Sequence, residues 1–140
     1  MRKNYAVYQV ALKLLLHKGR KVLFLRLAGD DRWDLPGGRI DRGEERVPLA
    51  SILAREIREE LGPSLRYTLG RPAFQFRRRS RPPGRYNFLT VYEGRYLSGA
   101  IRLSPEHQSY KWLDPRKAAF RVRYFFNREE YLAFKKYLKF

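Results

Sequence analysis

From Tyr5 to Leu16 the chain is nearly continuous in Val, Leu and Tyr, and this run predicts a strand. His17-Lys18-Gly19-Arg20 reads as a turn and Lys21 to Leu27 as the returning strand of a hairpin. A polar loop, Gly29 to Arg32, leads into Trp33-Asp34-Leu35-Pro36-Gly37-Gly38, where Pro-Gly-Gly breaks regular structure and lets backbone approach a ligand closely. The period then becomes helical. Leu49, Leu53, Ile57 and Leu61 recur every four residues, which predicts a helix from about Pro48 to Leu61 with those residues as its buried stripe. Proline suits the first helical position, and Gly62-Pro63 closes the helix.

Two further strands are predicted near Ala73 to Arg78 and Tyr86 to Tyr92, joined by Ser80-Arg81-Pro82-Pro83-Gly84. Another follows over Tyr96 to Leu103, broken at Ser98-Gly99, and a short last one over Ser109 to Leu113. Asp114-Pro115 opens a short helix towards Phe120. Asn127 and Glu130 have the spacing of a capping box for a final helix, which carries Tyr131, Phe134, Tyr137 and Leu138 on one side. The expected fold class is mixed α/β, with helices on either side of a mixed sheet, and 140 residues suit one domain spanning 1–140.

Composition narrows the chemistry. The chain has no cysteine, which excludes disulfides, thiolate catalysis and cysteine-based zinc sites. His17 and His107 are too few for a histidine-rich metal cage. The N-terminal apolar run is short and interrupted by Lys13, His17 and Lys18, so no membrane span is expected and a cytoplasmic location is the default. A net charge of +17 points to an anionic partner: a polyphosphate, a nucleic acid or a membrane surface. A solvated basic surface is the plainer reading of the same number. Against this background most of the carboxylates crowd into one stretch, from Asp30 to Glu60.

Within that stretch, Arg55-Glu56-Ile57-Arg58-Glu59-Glu60-Leu61-Gly62 places three glutamates three and four residues apart, as neighbours on one helix side. Crowded carboxylates repel one another unless a cation sits among them, and hard divalent cations take oxygen ligands of this kind. The competing reading is a solvent-facing helix side balanced by Arg55 and Arg58.

With Trp33-x-Leu35-Pro36-Gly37-Gly38 and Glu44 upstream, the stretch resembles the signature of the Nudix hydrolases, G-x5-E-x7-R-E-U-x-E-E-x-G-U. Gly38, Glu44 and Arg55 to Gly62 match. Ten residues rather than seven separate Glu44 from Arg55, and Pro63 stands at the last aliphatic position. Pro48 favours placing the three extra residues in the loop before the helix; placed inside the helix, they would separate Glu44 from Arg55.

The resemblance implies the family's α/β/α sandwich over nearly the whole chain, and cleavage of a pyrophosphate linkage in a nucleoside diphosphate derivative. It implies Mg2+, with Mn2+ as a substitute, held by Glu56 and Glu60, with Glu59 and the Gly38 carbonyl completing the shell. Glu56 and Glu106 are the two candidates for general base, and Arg55 orients Glu44 or Glu56 through a charge-assisted contact.

Arg39, Arg77 and Arg79 are candidate substrate cations. The Arg77 to Arg85 run, with Phe74, Phe76 and Tyr86 beside it, suits either RNA backbone and stacked bases or a solvated hairpin tip. Trp33 and Trp112 read as packing residues and His107 as a structural or loop residue. A non-cleaving RNA- or nucleotide-binding module and an RNA 5′-end pyrophosphohydrolase are the alternative functions. A homodimer is compatible with the family. The proline that marks ADP-ribose hydrolases about fifteen residues past the box is absent; Arg78 stands near that position.

Overall fold

The computed structural model describes residues 3–80 and 84–140. Its chain order is β1 (Gln9–Lys18), β2 (Lys21–Leu27), β3 (Trp33–Asp34), β4 (Gly37–Arg39), α1 (Leu49–Leu61), β5 (Arg66–Ser80), β6 (Arg85–Ser98), β7 (His107–Leu113) and α2 (Arg128–Leu138). The strands form one sheet in the order β3-β2-β1-β6-β5, with β4 also pairing β1 and β7 pairing β2. The β1–β6 pair is parallel and the others are antiparallel, so the sheet is mixed.

β1 reads as one unbroken apolar run because it is covered on both faces. Leu12, Leu14 and Leu16 join Leu23, Leu25, Ile52, Leu53, Ile57 and Leu61 in the core beneath α1. Ala11 and Leu15 point the other way, joining Val22, Phe24, Phe76, Leu89, Val91 and Phe134 beneath α2. The result is the α/β/α sandwich expected from the sequence. No helix among the described residues is long and apolar enough to cross a membrane.

Several boundaries differ from the local pattern. The strand expected from Tyr5 begins at Gln9. α1 starts at Leu49, with Pro48 just outside it, and Leu49 is exposed, so the buried stripe is Ile52, Leu53, Ile57 and Leu61. β5 and β6 are much longer than expected. β5 carries Gly70 and Pro72 within it, and the pairing register with β6 shifts on both sides of Pro72. β5 pairs only with β6, and such an edge strand tolerates a proline that a central strand would reject.

Tyr96 to Leu103 is not a separate strand. Tyr96 to Ser98 ends β6, and Ile101 and Leu103 pack on the α1 core from a loop. That loop satisfies the end of α1: Arg102 N–H donates to the Leu61 carbonyl (2.9 Å) and Ser104 N–H to that of Glu60 (3.1 Å). The helix expected after Asp114-Pro115 is a single turn, which Ala119 ends with a φ of 54°. The capping box of α2 is half formed. Asn127 Oδ1 accepts from Glu130 N–H (2.8 Å), but the Glu130 carboxylate turns to Phe126 N–H and to Arg78. Of the Arg77 to Arg85 run, residues 81–83 lie outside the described residues; Phe74 and Phe76 belong to the core region beneath α2.

Candidate active site

The site is built where β4 lies across the edge of α1. β4 pairs with β1, Gly37 opposite Lys13 and Gly38 opposite Leu12, which brings the Pro-Gly-Gly turn onto the helix. Both glycines are required there, for different reasons. At Gly37 φ is +134°, and a Cβ would stand 2.0 Å from the Leu12 carbonyl oxygen. At Gly38 a Cβ would stand 2.3 Å from Glu56 Oε2, so a side chain could enter only by displacing the Glu56 carboxylate.

The two substitutions therefore have different expected outcomes. Gly37→Ala destabilises the fold by about 1–3 kcal/mol, because backbone must move. Gly38→Ala leaves the melting temperature near that of the parent, because only the end of the Glu56 side chain must yield, and instead lowers turnover. Equal losses of stability in the two variants would contradict this geometry.

Glu60 is buried on the next turn of α1. Its Oε1 accepts from Gly37 N–H at 2.8 Å, and His107 Nε2 faces Oε2 at 3.4 Å. Burial pushes the Glu60 carboxyl up to about 7, against the pull of Lys13 and the Gly37 N–H. Burial also raises Glu56 above the ordinary carboxylate range, opposed by the Arg55 guanidinium. His107 is held below the usual imidazole range, chiefly by burial, and its Nδ1 lies 3.3 Å from Ser104 Oγ.

Arg55 gathers the remaining acids. Its fork meets Glu44 in a bidentate pair (2.8 and 3.0 Å). It also lies within 3.3 Å of Asp41, Glu56 and Glu59 carboxylate oxygens. The hydrogen bond from Arg55 lowers the Glu44 pKa, and Glu44 in turn raises that of Arg55. The segment 40–48 stays outside α1, so the extra box residues lengthen the loop and the Glu44–Arg55 contact survives. Arg55 thus touches both acids that the sequence left as alternatives.

Gly38, Arg39, Glu56, Glu59, Glu60 and Glu106 all line one cleft of about 510 Å³. Glu106 stands exposed on the loop that caps α1. Arg79 lines a neighbouring cleft of about 870 Å³. Arg77 is further away, engaged in a bidentate pair with Glu129, 2.7 Å at its shorter contact. Trp33 is buried, with the Arg26 guanidinium over its ring, and Trp112 packs beneath the α1 core, both as expected. His107, read from sequence as a structural residue, faces the carboxylates.

Lys13 and Asp34 also line the cleft and escaped sequence reasoning. Lys13 Nζ donates to Asp34 (3.2 Å) and to the carbonyls of Leu35 (3.1 Å) and Gly37 (3.4 Å), fastening the glycine turn from beneath. The available signal was a lysine interrupting an otherwise apolar strand.

Among the described residues, no three acidic or imidazole side chains already converge on one point. Glu59 turns outward to Arg55, while Glu60 turns to Gly37 and His107. The donors nonetheless fit a hard divalent cation. They are carboxylate oxygens beside a backbone that a Cβ would exclude, and the burial that raises Glu56 and Glu60 is a charge deficit a dication cancels.

A family model described as the NUDIX domain matches residues 7–134. No curated protein matches the chain. Among solved structures, a UDP-X diphosphatase is 19% identical with a TM-score of 0.68, the match covering 98% of this chain and 66% of that one. A MutT protein from Methanosarcina mazei Go1 is 23% identical with a TM-score of 0.70, covering 94% and 91%. An ADP-ribose pyrophosphatase from Streptococcus suis 89-1591 is 16% identical with a TM-score of 0.67, covering 95% and 91%. These likenesses show a shared fold.

Proposed function

Because the chain belongs to the NUDIX domain family, a family of pyrophosphohydrolases, we propose that it hydrolyses the pyrophosphate linkage of a nucleoside diphosphate derivative, using Mg2+ or Mn2+. One observation carries this reading: the side-chain-free backbone of Gly38 packed on Glu56, beside a Glu60 carboxylate that accepts the Gly37 N–H.

Glu56, Glu60 and the Gly38 carbonyl would hold the cation, with Glu59 at the mouth of the cleft. When bound, a divalent ion supplies charge neutralisation of the pyrophosphate and a more acidic water. The remaining work falls to the chain. Arg55 and Glu44 hold the middle of α1 against the loop, and the Lys13–Asp34 pair fixes the glycine turn. Arg39, on the rim, meets the substrate's phosphates. Two carboxylates that line the cleft, Glu56 and Glu106, are the candidates to take the proton from water.

The structurally similar UDP-X diphosphatase and ADP-ribose pyrophosphatase suggest the chemical range to test. A panel of UDP-linked sugars, ADP-ribose, nucleoside triphosphates and dinucleoside polyphosphates should contain a compound cleaved with Mg2+ or Mn2+. Turnover should stop with a chelator and return with excess metal. No cleavage of any compound with either metal overturns the hydrolase reading, and salt-sensitive RNA binding in its place would favour a non-cleaving module.

A further inference from the structure

His107 stands outside the glycine and glutamate pattern that marks this cleft, far past α1 in the chain, yet its ring returns to Glu60. Two sets of backbone contacts bring it there. Ser104 N–H donates to the Glu60 carbonyl and His107 N–H to the Ser104 carbonyl, each at 3.1 Å. His107 then opens β7, where it pairs opposite Leu27 of β2. The imidazole is therefore placed by a helix end and a sheet together.

Its two nitrogens have different neighbours. Nδ1 lies 3.3 Å from Ser104 Oγ, and Nε2 faces Glu60 Oε2 at 3.4 Å, with only 5% and 11% of the His107 and Glu60 side chains exposed. A charge-assisted N–H···O contact runs to about 2.7–2.9 Å, so ring and carboxylate stand too far apart to share a proton tightly. The nearby ammonium does not fill the gap, because Lys13 Nζ is directed to Asp34 and to the carbonyls of Leu35 and Gly37. Glu60 Oε1 is occupied by the Gly37 N–H, which leaves Oε2 turned to the imidazole with its lone pairs.

With Nδ1–H donated to Ser104 Oγ, Nε2 also presents a lone pair. That is the arrangement of a metal-bound histidine, whose second nitrogen is held by an outer partner. Donors bonded to one ion at about 2.1 Å stand about 3.0–3.5 Å apart, for angles between a right angle and the tetrahedral one. The Nε2–Oε2 separation of 3.4 Å falls in that span. Resting on the hydrolase reading above, we infer that His107 Nε2 is a further ligand of the cation held by Glu60, so that the site selects first-row transition dications over Mg2+. The donor's chemistry sets the selection. Mg2+ takes oxygen ligands and gives up its waters reluctantly, whereas imidazole nitrogen suits the transition ions, increasingly so from Mn2+ to Co2+. A single nitrogen among oxygens biases the choice without a histidine cage.

The test is metal binding by the untagged chain without substrate, at about pH 8, where an ordinary imidazole is neutral. Mn2+ bound to the parent should show, in electron spin echo spectra, the nitrogen modulation of a directly coordinated imidazole. His107→Gln should abolish it. His17→Gln should keep it, because His17 Nε2 pairs with Glu93 at 2.9 Å, away from this cleft. In equilibrium titrations His107→Gln should weaken Mn2+ and Co2+ binding by at least about tenfold, the low end of the loss when a ligand's supporting partner is removed, and Mg2+ by less than about threefold. Ser104→Ala, which releases the ring, should weaken Mn2+ in the same direction, with melting temperatures checking that each variant folds. Absence of nitrogen modulation in the parent overturns the inference whether or not the variants fold. Equal losses for Mn2+ and Mg2+ in a folded His107→Gln overturn it too, as does a parent that binds none of the three ions. The first two results leave the hydrolase reading intact, because that reading rests on turnover of the panel with either metal. Nitrogen modulation with no compound of the panel cleaved does the reverse: His107 stands as a metal ligand and the hydrolase reading falls.

Discussion

Replacing Glu60 by glutamine lowers metal-dependent hydrolysis by at least about 100-fold and leaves the melting temperature unchanged or higher. Loss of a residue that merely supports a metal ligand costs about 10–100-fold, and loss of a ligand's own charge should cost no less. The fold survives because the glutamine carbonyl still accepts the Gly37 N–H and fills the same volume. Stability does not fall because burial already works against the Glu60 charge, pushing its carboxyl up to about 7. Turnover and thermal melting, measured on the same preparation, separate these effects. Near-parental turnover in Glu60→Gln would remove the carboxylate from the mechanism, and collapse of the fold would make its role structural.

The largest effect on stability is expected at Arg78. This side chain is buried over the Phe126 ring, with its guanidinium centre 3.8 Å from the ring centroid. It pairs with Asp34 from β3 and with Glu130 from α2, and Asp34 in turn pairs with Lys13 from β1. Burial opposes all these charges. In Asp34 it is outweighed by Arg78 and Lys13, which hold the carboxyl below the usual carboxylate range; in Glu130 it prevails and the pKa rises.

Arg78→Met keeps the apolar stem but leaves Glu130 buried without its cation, at a cost of about 3–5 kcal/mol by chemical denaturation. Arg78→Met with Glu130→Leu should recover much of that loss, because no charge is then left without a partner. A single-variant cost below about 1 kcal/mol would show that the network is solvated. The Asp34 contribution is fully present above an unfolded carboxylate pKa of about 3.9 and is lost as pH falls through the lower folded value. Acid should therefore shrink the difference between parent and Arg78→Met.

What was readable along the chain was local. The fourfold spacing of Leu53, Ile57 and Leu61 announced α1, and the same geometry put Glu56, Glu59 and Glu60 on one side. Leu49, inside the same repeat, was misread because nothing in a repeat tells where the covering sheet stops. Pro72 and Gly70 looked like strand breakers, yet the long pairing with β6 absorbs them at register shifts. Ile101 and Leu103 alternate like a strand, but they bury their side chains against α1 while their segment caps its carbonyls.

The sequence by itself determined the glutamate-bearing helix α1, the glycine turn and the apolar first strand, because each depends on periodicity or backbone freedom within a few residues. Only the tertiary structure decided that Gly37 N–H reaches Glu60, that a lengthened loop still delivers Glu44 to Arg55, and that Lys13, Asp34, Arg78 and Glu130 meet under the turn. Those contacts join residues from 11 to 52 positions apart. They exist in one strand register alone, since a slip by one residue would turn Lys13 and Arg78 to the opposite face of the sheet.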